Sequence, residues 1–276
     1  MQEKFFSIIV VALNPGKKLK KTLDSIVSQS FTNYEVIIKD GGSKDGSLET
    51  LEKEGFFDTR PSFRIVRQGD KSIYDGMNQA VKLAHGRFVQ FLNCGDLFYN
   101  SKVLEMTAEQ ILLREQYEGR KLRIFYGNQY NQLQDSIVYS SPQINDFTCY
   151  RNVPCHQVCF YDTALFQERA YDLRYRVRAD YEHFLYSIYD RKAEGVWIPV
   201  VVASYEGGGF SETKENRKRS AGEHKEITVQ YLGRKKVWKY GMIMTLTLAP
   251  VRTKMAESPT LSKLYNGIKN AVYGRK

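Results

Sequence analysis

Two stretches decide the fold: SIIVVALN at residues 7–14 and YEVIIKDGGSKDGS at residues 34–47. The first contains a continuous β-branched run from Ser7 to Leu13, which is typical of a strand buried on both faces of a parallel sheet. Tyr34 to Lys39 is predicted to be the second strand. Between them, apolar residues recur at helical spacing, at Leu19, Leu23, Ile26 and Val27. This order predicts a βαβ unit, in which a crossover helix joins two parallel strands.

The alternation of strand and helix continues through residue 100. Further strands are predicted at 63–66 and 87–92, with a helix at 73–84 between them. We therefore predict an α/β fold with a doubly wound, mainly parallel sheet and helices on both faces. Beyond Gly95 the pattern loosens. The elements predicted there are helices at 102–116 and from near Asp180, and strands at 123–126, 137–139 and 196–204.

The composition is that of a globular protein with one sizeable core. The 276 residues are 42% hydrophobic and 26% charged, which excludes a disordered, collagenous or coiled-coil chain. The four cysteines contain no Cys-x-x-Cys pair, which favours a reducing cytoplasm over a disulfide scaffold. No stretch approaches the roughly 20 apolar residues of a membrane span. We expect a cytoplasmic protein that is soluble or lies on the inner face of the membrane.

Acidic residues follow two of the predicted strands. Asp40 ends the second strand, and Asp96 closes the sequence Asn93-Cys94-Gly95-Asp96 after the fourth. In an open parallel sheet, ligands bind outside the carboxyl ends of the strands, where the strand order reverses. The turn after the first strand is Asn14-Pro15-Gly16, so neither a Gly-x-Gly-x-x-Gly dinucleotide motif nor a Gly-x4-Gly-Lys-Ser/Thr phosphate loop is present. These residues therefore predict a different kind of ligand site at this edge.

Four segments, in this order, resemble the family-2 inverting glycosyltransferases of the GT-A fold, in particular the bacterial branch that builds capsule, O-antigen and exopolysaccharide. They are SIIVVALN (7–14), IIKDGGSKDGS (37–47), SIYDGMN (72–78) and RFVQFLNCGD (87–96). Two more, CHQVCF (155–160) and RADYEHFL (178–185), are similar to acceptor-side signatures of that branch. The resemblance covers about residues 5–211.

The resemblance implies a nucleotide-sugar donor, which we expect to be UDP-linked. Asp40 is the position that hydrogen-bonds the uracil ring, and Ala12 and Asn14 are expected against the same nucleoside. The other predicted nucleotide contacts are Gly41, Asp75, Asn78 and Asn93. Asp70 and Lys71 are expected to reach the sugar or the diphosphate.

The resemblance also implies a divalent metal and a general base. The family's Asp-x-Asp motif is replaced here by a sequence with Asp96 as its one carboxylate, as in the polysaccharide branch. Mn²⁺ or Mg²⁺ would then bind Asp96, with diphosphate oxygens and water as the other ligands. Asp180 matches the base that deprotonates the acceptor hydroxyl, and Glu182 is the second choice. His156 and Glu182 are predicted donor or acceptor contacts.

Each of these residues also has a structural interpretation that the sequence leaves open. The residues concerned are Asp40 and Asp45 as turn caps, Asp96 as a strand-end turn residue, Asp75 and Asp180 as acids at a helix start, and His156 and His183 as structural histidines. The spacing of Cys149, Cys155 and Cys159 lacks the tight pairs of a structural zinc site.

The net charge of +10 is confined to the end of the chain. Residues 1–204 hold 26 basic and 25 acidic side chains, whereas residues 205–276 hold 15 and 6. We predict a catalytic domain at 1–211, with a nucleotide-sugar-binding half at 1–100 and an acceptor-binding half at 101–211, and a basic helical extension at 212–276.

Basic residues beside Trp238, Tyr240 and Met242 suit an anionic membrane surface, and packing on the domain is the alternative. No nucleic-acid module is visible, so no nucleic-acid partner is expected.

The predicted function is inverting transfer of a hexosyl or N-acetylhexosaminyl group from a UDP-sugar to a hydroxyl of a saccharide or lipid-linked saccharide, in bacterial surface polysaccharide biosynthesis. Two rival functions remain at this level. A sugar nucleotidyltransferase would need a glycine-rich phosphate loop after the first strand, which is missing. A noncatalytic saccharide-binding or membrane-surface protein would need no base at Asp180.

Overall fold

A nine-stranded sheet organises the protein, which is described by a computed structural model over residues 4–207 and 213–247. The strands are β1 (Phe6–Ala12), β2 (Tyr34–Asp40), β3 (Phe63–Arg67), β4 (Phe88–Phe91), β5 (Leu97–Phe98), β6 (Arg123–Asn131), β7 (Ser136–Val138), β8 (Cys159–Asp162) and β9 (Glu194–Tyr205). The helices are α1 (Lys17–Val27), α2 (Ser47–Lys53), α3 (Ile73–Val81), α4 (Val103–Glu118), α5 (Asp146–Arg151), α6 (Ala164–Glu168), α7 (Ala179–Tyr189) and α8 (Lys214–Leu246). A 3₁₀ turn spans His156–Val158.

The amino-terminal half of the sheet is parallel, as the sequence predicts. Its order is β3-β2-β1-β4, and the three pairings between these strands are all parallel. Ala12 pairs with Asp40 at the carboxyl ends of β1 and β2. The strand order reverses between β1 and β4, so this edge is where a ligand site is expected.

The other half of the sheet is mixed. β8 lies antiparallel to both β4 and β6, while β6 pairs with β9 in parallel and β5 and β7 are short antiparallel additions. Sequence analysis does not identify β5 or β8, which are short and join the sheet through antiparallel partners distant in sequence. The four parallel pairings still contain most of the paired residues, so the mainly parallel sheet is confirmed.

Helices cover the sheet through apolar stripes. Leu19, Leu23 and Ile26 of α1 are buried, as their spacing predicts. On α3 the buried side chains include Met77 and Val81. These helices hold the loops at the carboxyl edge of the sheet.

The chain divides into two compact units, Met1–Ile227 and Thr228–Lys276. The predicted boundary at 211/212 lies in residues outside the described ones, and α8 continues past the division with non-helical angles at Gly233 (φ 79°). Part of the predicted extension therefore belongs to the first unit, up to Ile227. Within the described residues, no helix is both long and apolar enough to cross a membrane.

Candidate active site

The loops after β1 and β2 are tied together by side chains at the predicted nucleotide site. Asn14 has left-handed backbone angles (φ 48°), its N–H donates to Ser43 Oγ at 2.8 Å, and its Oδ1 accepts from Lys44 N at 2.8 Å. Asp45 Oδ2 accepts from Gly16 N at 2.7 Å. Asn14 and Asp45 thus shape the rim that the sequence assigns to the nucleoside.

Asp40 lies at the floor of this rim and is 6% exposed. Its carboxylate accepts from Ser43 Oγ at 2.5 Å and from Ser43 N at 3.1 Å, while Gly41 N donates to Ala12 O at 2.9 Å. Asp40 therefore caps its own turn, as the structural alternative expects. A carboxylate accepts more hydrogen bonds than these, so base recognition by Asp40 stays a prediction.

A buried ion pair supports the same loop from below. Lys39 is fully buried, and its three ammonium protons match three acceptors: Asp70 Oδ2 at 2.9 Å, Gln68 O at 2.5 Å and Asp40 O at 3.1 Å. A Cβ on Gly41 would lie 2.6 Å from Asp70 Oδ2. The pair thus fixes Asp70 against a glycine that has no room for a side chain.

Residues of the SIYDGMN segment lie at the start of α3. Asp75 Oδ2 accepts from Lys71 N at 2.8 Å, and Ser72 Oγ caps the helix by accepting from Asp75 N at 3.2 Å. The Lys71 side chain is exposed at this rim. The Asn78 side chain is buried and pairs with the backbone of Tyr171: its Nδ2 donates to Tyr171 O and its Oδ1 accepts from Tyr171 N, both at 2.9 Å. Its amide thus already serves the backbone, which favours a supporting role over a direct nucleotide contact.

Asp180 lies in the first turn of α7 and is the centre of a hydrogen-bond network. Its Oδ1 lies 2.9 Å from Tyr74 Oη and accepts from Tyr181 N at 2.9 Å, and its Oδ2 lies 3.0 Å from His156 Nδ1. The other ring nitrogen of His156 lies 2.9 Å from Asn93 Nδ2. Three residues from three separate sequence segments, Tyr74, His156 and Tyr181, therefore converge on one carboxylate.

The network keeps this carboxylate ionised. Burial alone would raise the pKa of Asp180, but the hydrogen bond and charge of His156, with those from Tyr74 and Tyr181 N, outweigh it and hold the pKa below its ordinary value. The Asp180 side chain is still 22% exposed. An ionised, partly accessible carboxylate of this kind can accept a proton from a bound hydroxyl.

Asp96 is buried beside this network, with 5% exposed. Gln157 Nε2 donates to its Oδ2 at 2.9 Å, and Glu206 N donates to its Oδ1 at 3.2 Å. Burial raises the pKa of Asp96, because these hydrogen bonds compensate only part of the lost hydration and the Glu206 charge opposes them.

Asp96 supplies carboxylate oxygens, the type of ligand that a divalent cation such as Mg²⁺ prefers. Burial of this carboxylate without full compensation for its lost hydration raises its pKa, and a bound cation would stabilise the ionised form. The described residues contain no group of three or more histidine, cysteine, aspartate or glutamate side chains that could hold a metal ion.

Glu182 and His183 face the core rather than the site. Glu182 is fully buried and paired with Arg169 Nη2 at 2.7 and 2.8 Å. His183 stacks on Phe166 at 4.1 Å, and burial lowers its pKa to about 3. The structure thus favours Asp180 over Glu182 as the acceptor-side carboxylate.

Three supporting residues were missed by sequence reasoning. Lys39, Tyr74 and Gln157 each hold a predicted site residue: Asp70, Asp180 and Asp96 respectively. Each of the three is next in sequence to a predicted site residue, and this adjacency is the signal by which the sequence could have identified it.

Comparison with known proteins shows to which family the chain belongs. A model of the Glycosyl transferase family 2 matches residues 7–169. The chain belongs to this family. A "PGL/p-HBAD biosynthesis glycosyltransferase" of Mycobacterium bovis is 34% identical over 217 residues, covering 77% of this chain and 81% of the relative. The "Uncharacterized glycosyltransferase EpsJ" of Bacillus subtilis is 28% identical over 138 residues, covering 50% and 38%.

Two solved structures share the fold of this glycosyltransferase. Staphylococcus aureus TarS 1–349 in complex with UDP-GlcNAc has a TM-score of 0.61 at 17% identity, covering 83% of this chain and 71% of that one. The mannosyltransferase PcManGT of Pyrobaculum calidifontis, in complex with GDP-Man and Mn²⁺, has a TM-score of 0.63 at 15% identity, covering 97% and 80%. The predicted GT-A fold is thereby confirmed.

Proposed function

We propose that this glycosyltransferase transfers a sugar from a nucleotide-sugar, with inversion, to a hydroxyl of a saccharide or lipid-linked saccharide. The observation that carries the proposal is the ionised Asp180, which stays accessible while Tyr74, His156 and its own helix hold it in place. It lies beside the loops whose motifs are those of a nucleotide-sugar site. The solved complexes of the same fold contain nucleotide-sugars, which supports this class of donor.

The proposed reaction is a single displacement. The acceptor oxygen forms a bond to the anomeric carbon of the donor while the bond from that carbon to the diphosphate oxygen breaks. The acceptor's proton passes to Asp180, and the nucleoside diphosphate leaves. Because the oxygen attacks opposite the leaving group, the anomeric configuration inverts.

The neighbours of Asp180 prepare it for this step. His156, held by Asn93 on one side, lies 3.0 Å from the carboxylate on the other and stabilises its ionised form. We assign His156 to orienting Asp180, since both ring nitrogens are already engaged. Asp40, Asn14 and Asp70 remain the proposed contacts of the donor.

A metal ion is proposed to assist departure of the diphosphate. Mn²⁺ or Mg²⁺ would screen the growing negative charge, with Asp96 as its protein ligand. The raised pKa of Asp96 implies that cation binding weakens as the pH falls, and does so at a higher pH than for an ordinary aspartate.

The donor and the stereochemistry can be tested together. Titration calorimetry with UDP and with GDP, each with Mn²⁺, identifies the nucleotide, and a panel of its sugars identifies the donor by release of the nucleoside diphosphate. The proposal expects UDP to bind and the product to have the opposite anomeric configuration to the donor by NMR. Binding of neither nucleotide, or a product with retained configuration, contradicts it.

A membrane role is proposed for the second unit. After Gly233, Trp238, Met242 and Leu246 recur every four residues and are 67%, 42% and 81% exposed, with Lys235 and Lys239 exposed along the same face. Exposed Trp and aliphatic side chains beside cations suit the surface of an anionic bilayer.

Co-sedimentation with vesicles tests this role. Wild-type protein is expected to bind phosphatidylserine-containing vesicles and not neutral ones, and Trp238→Ala with Met242→Ala is expected to weaken that binding. Equal binding to both kinds of vesicle, or no effect of the substitutions, removes the proposal.

A further inference from the structure

The beginning of α8 packs one face against the segment that leads into α7. Ser220, Glu223 and Ile227 share this face by their spacing, and Ser220 and Ile227 are buried. All three residues belong to the first compact unit. This part of α8 is therefore integral to the unit that contains Asp180.

Glu223 makes the central contact of this face. Its carboxylate accepts hydrogen bonds from three consecutive backbone amides: Arg176 N at 3.0 Å, Val177 N at 2.9 Å and Arg178 N at 2.9 Å. These amides lie immediately before α7, which begins at Ala179. A carboxylate at this position satisfies otherwise unpaired N–H groups and also complements the positive end of the helix dipole.

The segment that Glu223 holds also orients the predicted base. Val177 O and Asp180 Oδ1 each lie 2.9 Å from Tyr74 Oη. Val177 O and Arg178 N belong to the same peptide group. Glu223 therefore fixes, through its hydrogen bond to Arg178 N, the carbonyl that contacts the Tyr74 hydroxyl, and that hydroxyl also contacts the Asp180 carboxylate.

Further contacts from α8 secure both sides of Asp180. Ser220 Oγ accepts from Arg178 Nε at 2.7 Å, and Glu226 Oε1 accepts from Tyr175 Oη at 3.1 Å. The ring of His224 stacks on Tyr181 with centroids 5.0 Å apart and an interplanar angle of 26°. The helix thus contacts the chain from residue 175 to residue 181.

We propose that Glu223 is a positioning residue for Asp180, and that residues 220–227 of α8 support the predicted base. This inference rests on the proposed function, since it assumes that Asp180 is the base. Glu223 acts through the peptide between Val177 and Arg178 and through Tyr74, rather than on an atom of the substrate. Residues 220–227, which the sequence analysis assigns to a basic extension, therefore help to orient Asp180.

The test compares Glu223→Gln with Glu215→Gln in the full-length protein. Glu215 is an exposed acid in the first turn of the same helix, so both variants lose one charge and keep the side-chain length. Three quantities are measured: amide hydrogen exchange at 176–180, UDP affinity in the presence of Mn²⁺, and turnover. Turnover is followed as UDP release from whichever of UDP-glucose, UDP-galactose and UDP-N-acetylglucosamine the wild type uses fastest.

Glu223→Gln is expected to speed exchange at 176–180 and to lower kcat by about tenfold to a hundredfold, because a small displacement of a catalytic group has effects of that order. UDP affinity is expected to stay within about twofold, and Glu215→Gln to match the wild type in every measurement. Unchanged exchange or unchanged kcat in Glu223→Gln overturns the inference. A parallel fall of kcat, UDP affinity and melting temperature also overturns it, because that pattern indicates general destabilisation.

The exchange measurement does not depend on the identity of the base. If Asp180→Asn retains turnover, the proposed function fails. If Asp180→Asn is inactive while Glu223→Gln is unaffected, the positioning role alone fails.

Discussion

The buried pair of Lys39 and Asp70 allows a quantitative prediction about the donor loop. The two side chains are 0% and 9% exposed, and their charged atoms lie 2.9 Å apart. Removing one partner of a buried pair leaves the other charge uncompensated, which typically costs about 3–5 kcal/mol. Lys39→Met and Asp70→Asn are each expected to lower the free energy of unfolding by this amount.

The double variant should cost less than the sum of the single ones, because it leaves no isolated buried charge. Asp24→Asn is the matched control: it breaks the exposed ion pair with Lys20, which is 2.8 Å in length and has both side chains 51% exposed. Exposed pairs at this spacing contribute less than about 1 kcal/mol.

Urea unfolding at equilibrium measures the stability of all four variants, and calorimetry measures their UDP affinity. Because Lys39 also holds Asp40 O and Gln68 O, Lys39→Met is expected to weaken UDP binding about tenfold, or about 1.4 kcal/mol. A loss of stability below about 1 kcal/mol for Lys39→Met would refute the reasoning.

Three further predictions concern the same site. His156→Phe removes the hydrogen bond and charge that hold the pKa of Asp180 low, so the acidic limb of the kcat/KM profile should move to higher pH; an unmoved limb contradicts this. Excess EDTA should stop turnover and Mn²⁺ should restore it, whereas undiminished activity in the chelator refutes the metal role. Gly41→Ala should weaken UDP binding about tenfold, since the new Cβ meets Asp70 at 2.6 Å, while Gly69→Ala, which meets nothing within 4 Å, should bind UDP as the wild type does.

The parallel half of the fold was predictable because its strands are buried on both faces. Ser7 to Leu13 is a continuous β-branched run, Tyr34 to Lys39 contains the apolar residues Val36 to Ile38, and helical periodicity separates the two. Their carboxyl ends meet at one edge, so the placement of Asp40 and Asp96 follows from strand ends alone. β8 was not predictable, because its four residues join the sheet through antiparallel partners that are distant in sequence.

Motifs predict the candidate site residues, whereas the side chains that hold them in place could not be predicted. Asp180 was found through a motif, but its hydrogen bonds come from Tyr74 and His156, 106 and 24 residues away along the chain. No local period encodes such contacts. Asn78 shows the same limit, because only the packing of α3 reveals that its amide holds the backbone of Tyr171.

The proposed role of residues 220–227 of α8 could not be predicted from their composition. The residues concerned are Ser220, Glu223, His224, Glu226 and Ile227, all within the first unit. Most of them are polar, so the helix has no apolar stripe to distinguish it from a solvated basic tail. Hydrogen bonding to backbone amides, rather than hydrophobic burial alone, holds it in place.

Turnover and nucleotide affinity of Asp180→Asn test the central claim most directly. The amide keeps the size of the carboxylate and removes its capacity to accept a proton at neutral pH. We predict a loss of turnover of at least about a hundredfold, the order expected for removal of a general base, with UDP affinity in Mn²⁺ within about twofold of the wild type. Turnover close to that of the wild type would contradict the assignment of Asp180 as the base.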